Sequence, residues 1–324
     1  MRLVRLIVPV VLLAAPARAP AADQPVTLRL GHVGFPNSLF DITASEFAKR
    51  VNEELKGKVE IKVFHSSQLG SDEAMLKGVR VGTPEMFLPS TIMSTVDARY
   101  GVFEMPYIIK DRDHMKKVAA SKAVQEALFN PLPAKGIHLL GVWENGFRHI
   151  TNNVRPIAKP EDLKGIKLRV PSGVWRVRMF QAYGANPSPM ALGEVYSALQ
   201  SGVMDGQENP LAQIWSARLH EVQKFLSLSS HVYSPAFLVI GEDAWKKLSP
   251  DAQKALARIA GEAGDFARRE GARLDKELIG QMKEIKVNDV DKDAFVKASA
   301  KVYEQFGSEV PGGTELIKTI QGLR

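Results

Sequence analysis

Two α/β lobes and a long C-terminal helix are the architecture that this sequence predicts, and three observations carry the prediction. Segments with the two-residue alternation of strands are followed by segments with helical spacing, starting at residues 26–33 and continuing down the chain. Residues 75–88 and 195–208 share one order: a short helix, a glycine, then a strand running into a polar turn, at an identity too low for a sequence repeat. From Ser249 onward, apolar residues keep helical spacing for longer than an ordinary helix lasts. With 324 residues, 45% of them hydrophobic, the chain can fill one large core or two ordinary ones, and two lobes are the expected division.

The first residues read as a secretory signal. Arg2 and Arg5 precede an apolar run over residues 6–15, and small residues follow through Ala22. The run is too short to anchor the chain across a bilayer. Cleavage after Ala21 satisfies the small-x-small pattern through Ala19 and Ala21; Ala17 and Ala19 are alternatives, the latter disfavoured by Pro20. Removing residues 1–21 takes away Arg2, Arg5 and Arg18 and no acids, so the formal charge falls from +7 to +4. A mildly basic protein suits an anionic ligand. There is no lysine or arginine run of the nucleic-acid-binding kind. The absence of cysteine excludes a disulfide framework, a thiolate nucleophile and a lipid anchor on an N-terminal cysteine. Export thus predicts a periplasmic protein with no direct membrane insertion.

In chain order, residues 26–33 alternate as a strand, and a turn over 31–37 leads into a helix at 41–55 with Ile42, Ala44, Phe47, Ala48 and Val51 apolar. Residues 58–64 form a second strand, so strand, helix and strand make a right-handed parallel unit. A helix at 72–81 ends near Gly82, and a strand at 85–88 runs into Pro89, Ser90 and Thr91. A helix over 113–128 and a strand over 137–143 follow, with Arg148 just beyond that strand. At 165–170, Ile166, Leu168 and Val170 alternate with Lys167 and Arg169 until Pro171 stops the strand. A helix at 174–183 ends at Gly184, a short extended piece covers 187–190, and a helix at 192–201 ends at Gly202. Residues 203–210 are a strand feeding a polar turn. Strands at 224–228 and 236–240 follow, the second returning to the first lobe. Pro250 then opens a helix that either braces both lobes or breaks near Gly271. The expected division is 22–146 mainly lobe I, 147–235 mainly lobe II, and 236–324 the return strand, long helix and C-terminal helices.

Open α/β sheets bind ligands at the carboxyl ends of their strands. Arg169, one residue short of such an end, is therefore the first candidate binding residue, with Arg148 and Asn209 in similar positions. A guanidinium matches a carboxylate with two parallel hydrogen bonds, which a lysine cannot reproduce. The residues alone equally allow Arg169 an acid partner at a domain edge and Arg148 a surface ion pair.

Gly165-Ile166-Lys167-Leu168-Arg169-Val170-Pro171 followed by Gly202-Val203-Met204-Asp205-Gly206-Gln207-Glu208-Asn209-Pro210 resembles the DctP-type solute-binding proteins of tripartite ATP-independent periplasmic (TRAP) transporters. Ser66-Ser67-Gln68-Leu69-Gly70, Glu104-Met105-Pro106-Tyr107, Gly146-Phe147-Arg148 and residues 245–250 extend the resemblance in order over nearly all of the mature chain. It implies a periplasmic-binding-protein-like fold with a ligand cleft between the lobes, an organic acid clamped by Arg169, and ligand contacts at Arg148 and Asn209. It also implies delivery to an ion-gradient-driven TRAP membrane permease, with a monomer the usual expectation. Ser90 falls where sialic-acid binders of the family carry a ligand-contacting acid, which argues against a sialic-acid ligand. Glu73 is a candidate acceptor for sugar hydroxyls, weighed against a role in stabilising its helix end. Asn37, Phe40, Asn145, Trp175 and Tyr233 complete the candidates, although a tryptophan so placed is more often core.

The seven histidines show no pair at metal-ligand spacing, and no nucleophile elbow, dinucleotide fingerprint or phosphate loop occurs, so no cofactor or metal is expected. A sugar acid such as a hexuronate is the preferred ligand, with a C4-dicarboxylate or an aromatic 2-oxo acid as alternatives. Two other readings stay open. One is a secreted two-lobed enzyme in which Arg169 positions an anionic substrate and Glu73 or Glu208 is the base. The other is a receptor that presents its ligand to a membrane sensor kinase.

Overall fold

In the computed structural model, residues 25–324 are described; the signal segment and its cleavage site lie outside them. Burial of Leu28 and Leu30 fixes the inner face of β1 (Val26–Gly31). The chain then crosses through the helix Leu39–Glu54, capped by Ser38 Oγ accepting from the Asp41 N–H, to β2 (Val59–Phe64). β2 lies parallel to β1, Val26 opposite Val59. The helix Asp72–Val79 leads to β3 (Met86–Phe87), parallel to β1 on its other side.

The longest strand is β4 (Ile137–Asn152), with 16 residues. It extends well past the strand expected at 137–143, so Arg148 lies inside it. The reason is Gly146: its φ of +126° accommodates a register shift between Glu144 and Gly146, which lets the strand turn without ending. β5 (Lys167–Val170), β6 (Asn186–Pro189), β7 (Gly206–Pro210), β8 (Phe225–Leu228), β9 (Tyr233–Gly241) and β10 (Lys286–Asp289) complete the sheet. The strand order is β2-β1-β3-β9-β4-β7-β5-β6, with β8 also on β4 and β10 on β8. The first part of β4, through Phe147, pairs with β9; its last part pairs with β7 and β8. β4 is thus common to two strand groups, β2-β1-β3-β9 on one side (lobe I) and β8, β7, β5 and β6 on the other (lobe II).

Other expectations shift for local reasons. The strand expected within 203–210 begins at Gly206, because Asp205 turns back to accept the Lys167 N–H with its carboxylate. The helix expected at 113–128 is interrupted at Ser121, whose extended backbone closes Arg112–Ala120 before further helical turns. The long helix Pro250–Gln281 runs unbroken through Gly271. That glycine serves close packing: a Cβ there would come 2.3 Å from the Glu144 carboxylate of β4. The helix packs on β4, on Leu39–Glu54 and on the helix Leu211–Ser216, bracing both halves. Arg112 adds a tie, its guanidinium bonded to both Glu144 and Asp275.

Candidate functional site

Where strand ends from the two lobes converge, a cleft of about 450 Å³ of atom-free space, its open mouth included, is lined by Val33, Phe40, Asp72, Ser90, Thr91, Ile92, Asn145, Arg148, Arg169, Pro171, Ser172, Leu192, Asn209 and Gln213. β5 delivers Arg169, β7 delivers Asn209, β4 delivers Asn145 and Arg148, and the turn after β3 delivers Ser90.

The two arginines differ in their partners. Arg169 is buried, and its Nε and Nη2 donate to the Met190 carbonyl at 2.8 and 2.5 Å. Among the described residues it has no carboxylate partner, so the acid-partner reading does not hold. Burial, with Arg148 nearby, lowers its pKa to about 10, against the opposing pull of Glu208 and Asp72. It still carries its charge at neutral pH.

Arg148, by contrast, is committed. Its Nε donates to Glu208 Oε2 at 2.5 Å, and its Nη2 donates to Glu208 Oε1 at 3.0 Å and to Asn209 Oδ1 at 3.1 Å. The ion pair is fully buried and not at the surface. Glu208 also accepts from Arg176 Nη1 at 2.8 Å and from His231 Nε2 at 3.0 Å, the carboxylate requiring the proton on that nitrogen. Burial alone would raise the Glu208 pKa; Arg148, Arg176 and His231 outweigh it and hold the carboxyl far below its ordinary range. Burial keeps His231 below its own usual value despite Glu208. Asn209 is fixed from both ends, its Nδ2 donating to Gln207 Oε1 at 2.6 Å while its Oδ1 accepts from Arg148.

The other polar groups of the cleft are less committed. Asn145 donates weakly to Ser90 Oγ at 3.4 Å, and its Oδ1 has no partner. Gln213 Oε1 is likewise buried without a partner. Asp72, half-buried, has its pKa pushed up to about 7 by burial and by Glu73, against the pull of Arg169.

Of the sequence candidates, Arg169, Arg148, Asn209, Ser90, Asn145 and Phe40 come together at the cleft. Four do not line it. Glu73 turns aside, accepting from Ser71 Oγ and Ser172 Oγ. Asn37 is exposed, its backbone N–H bonded to Asp41. Trp175 is buried against Phe306, with ring centroids 5.0 Å apart, and Arg178 lies over its ring. Tyr233 is buried with its hydroxyl on Glu144. Sequence reasoning missed Asp72, Gln213 and Ser172. Asp72 neighbours Glu73 at the start of one helix, where successive side chains diverge by a little over a quarter turn, so the choice between them needed the helix's orientation. Gln213 lies in the first turn of the helix Leu211–Ser216 that directly follows β7, and Ser172 lies two residues past the end of β5 at Val170; that proximity to the strand ends was the available signal.

The family described as "Bacterial extracellular solute-binding protein, family 7" (DctP) matches residues 30–309. The chain is 36% identical over 317 residues to the 2,3-diketo-L-gulonate-binding periplasmic protein of Escherichia coli strain K12, covering 96% of each. It superposes with a TM-score of 0.88, at 29% identity, on the sugar acid binding protein of Advenella mimigardefordensis in complex with galactonate, covering 93% of this chain and 98% of that one. A TRAP periplasmic solute-binding protein of Sulfurospirillum deleyianum with bound succinate gives 0.87 at 34% identity, covering 93% and 100%.

Proposed function

Because the chain belongs to the DctP family and is a TRAP solute-binding protein, we propose that it binds a sugar acid with a single carboxylate, clamped by Arg169, and delivers it to a TRAP permease. One observation carries the choice of ligand: lining the same cleft as the Arg169 guanidinium are acceptors without donors, Asn145 Oδ1 and Gln213 Oε1, and the Asp72 carboxyl. A polyol chain brings hydroxyl donors to such groups, whereas a C4-dicarboxylate brings only more acceptors. The second carboxylate would also lack a free partner, since Arg148 Nε and Nη2 are already bonded to Glu208 and Asn209. Both the C4-dicarboxylate and the aromatic 2-oxo acid are the weaker fits, the latter because Trp175 and Tyr233 do not reach the cleft.

Arg169, Asn209, Asn145, Gln213 and Asp72 are the proposed contacts, with Phe40 as an apolar wall. The protein acts as a receptor without covalent chemistry; of the acids considered as a base, Glu208 is enclosed between two arginines and Glu73 does not line the cleft. The lobes divide near residues 146 and 235, a reading supported by the change of β4 partners at Phe147 and Arg148 and the start of β9 at Tyr233. The mature protein is an exported, periplasmic monomer.

A charge-assisted hydrogen bond supplies roughly 1.5–3 kcal/mol, while micromolar affinity needs about 8 kcal/mol, so the hydroxyl contacts and lobe closure must supply the rest. Thermal shift of residues 22–324 against galactonate, glucuronate and succinate tests the proposal. An acid at 100 times its Kd stabilises by about 2.7 kcal/mol. The expected outcome is a shift with the sugar acids that exceeds the shift with succinate and disappears in Arg169→Ala. A larger response to succinate overturns the ligand assignment, and undiminished binding by Arg169→Ala overturns the clamp.

A further inference from the structure

The helix Val174–Ala182, between β5 and β6 in lobe II, starts without a cap of its own. Gly173 occupies the capping position and has no side chain to offer. The missing acceptor comes from lobe I: Glu104 Oε2 accepts the Arg176 N–H at 3.2 Å. Glu104 ends the short helix Ala98–Glu104, whose Tyr100 and Phe103 pack on Phe237 of β9 at 5.2 and 5.6 Å between ring centroids, so it moves with that lobe. The fit is close. A Cβ on Gly173 would come 2.4 Å from Glu104 Oε2, so the glycine makes room for the carboxylate. One residue earlier, Ser172 Oγ donates to Glu73 Oε1, a second acid of lobe I on the same segment.

From these contacts we infer that Glu104 is a closure latch: a carboxylate of lobe I that caps a lobe II helix when the lobes come together, and so biases the receptor toward its closed form independently of what the ligand touches. Glu104 does not line the ligand cleft. The helix dipole and the buried Arg176 guanidinium pull toward a negative charge at this position, against the cost of burying it. The latch is also built to release. Glu104 Oε1, Arg176 Nε and Arg176 Nη2 are buried without partners, and regaining water on opening offsets the lost cap. A receptor that must surrender its ligand needs that balance.

The inference goes beyond the proposed ligand and is tested separately from it. The chain has no cysteine, so spin labels placed through Val81→Cys and Val203→Cys, both at exposed positions on opposite lobes, report lobe separation by pulsed electron paramagnetic resonance. Distances are measured for the labelled parent, Glu104→Ala and Glu104→Gln, without ligand and with saturating galactonate, alongside thermal melts that show each variant folded. Glu104→Gln keeps an oxygen that can accept the Arg176 N–H. The expected result is a smaller closed fraction in Glu104→Ala and an apparent Kd for galactonate raised roughly 2- to 30-fold, with Glu104→Gln between it and the parent. Equal closed fractions and equal Kd in parent and Glu104→Ala overturn the latch. If galactonate leaves the parent unmoved, the ligand assignment fails instead, and the ligand-free distances decide: a lower closed fraction in Glu104→Ala upholds the latch, and an equal one overturns it. Should Glu104→Ala fail to fold, the same comparison is read from Glu104→Gln.

Discussion

Replacing Arg169 and Arg148 in turn by alanine should separate affinity from stability, although both are buried arginines, on the strands either side of β7. Arg169 has no carboxylate partner, and its removal costs two donations to one carbonyl oxygen. At about 0.5–1.5 kcal/mol for a net hydrogen bond, the loss is on the order of 1 kcal/mol. With about 2–4 °C per kcal/mol in a chain of this size class, the melting temperature of Arg169→Ala falls by about 4 °C or less. Its affinity for galactonate drops by the worth of a charge-assisted clamp, about 1.5–3 kcal/mol, or roughly 10- to 150-fold. Arg148→Ala is the reverse case, since it strips one of two guanidinium partners from a buried carboxylate. Breaking a buried ion pair costs about 3–5 kcal/mol, with Arg176 and His231 still on Glu208 placing this case toward the lower end. That corresponds to a melting temperature lower by roughly 6–12 °C. Calorimetric titration with galactonate and a ligand-free melt of each variant give both quantities. Equal melting temperatures for the two variants, or an Arg169→Ala that binds as the parent does, refute the division of labour between a free and a committed arginine.

Three further outcomes follow from the same structure. Asp72→Asn should weaken galactonate binding about tenfold while improving succinate binding, because the carboxyl that accepts hydroxyls also repels a second carboxylate; titration of both acids checks it. In the parent, the second carboxylate of succinate beside Asp72 draws a proton onto that carboxyl, whose pKa already lies at about 7. Affinity for succinate should therefore fall as pH rises from 6 to 8, and the slope should flatten in Asp72→Asn. Glu104, raised by burial to about 7 against the pull of Arg176, makes a signed contribution to stability. Its folded pKa exceeds its unfolded value, so stability is highest below about pH 4 for this group and is lost as pH climbs to about 7. The ceiling is about 3 kcal/mol, read as a melting temperature in Glu104→Gln that depends less on pH than the parent's. Finally, Gly271→Ala drives a methyl against the Glu144 carboxylate and should cost about 1–3 kcal/mol in a thermal melt, with galactonate affinity unchanged.

The sequence by itself determined the order of most elements and the carboxyl ends of β5 and β7, because alternation and helical spacing are local properties of consecutive residues. Arg169 and Asn209 were legible for that reason: each sits one residue before the end of its strand, β5 at Val170 and β7 at Pro210. The continuity of β4 through Gly146 was not legible, since a glycine after a strand reads equally as a turn or as a bulge until its pairing partners are known. Tertiary structure alone decided which charges are spent. Glu208 lies 60 residues from Arg148 in the chain, and the β4–β7 register brings the two together and leaves Arg169 free. It also sent Trp175 and Tyr233 into the core and turned Asp72, not Glu73, into the cleft. Burial and partnership depend on what distant segments place around a side chain, and the free energy of a charge follows from those surroundings more than from its own residue type.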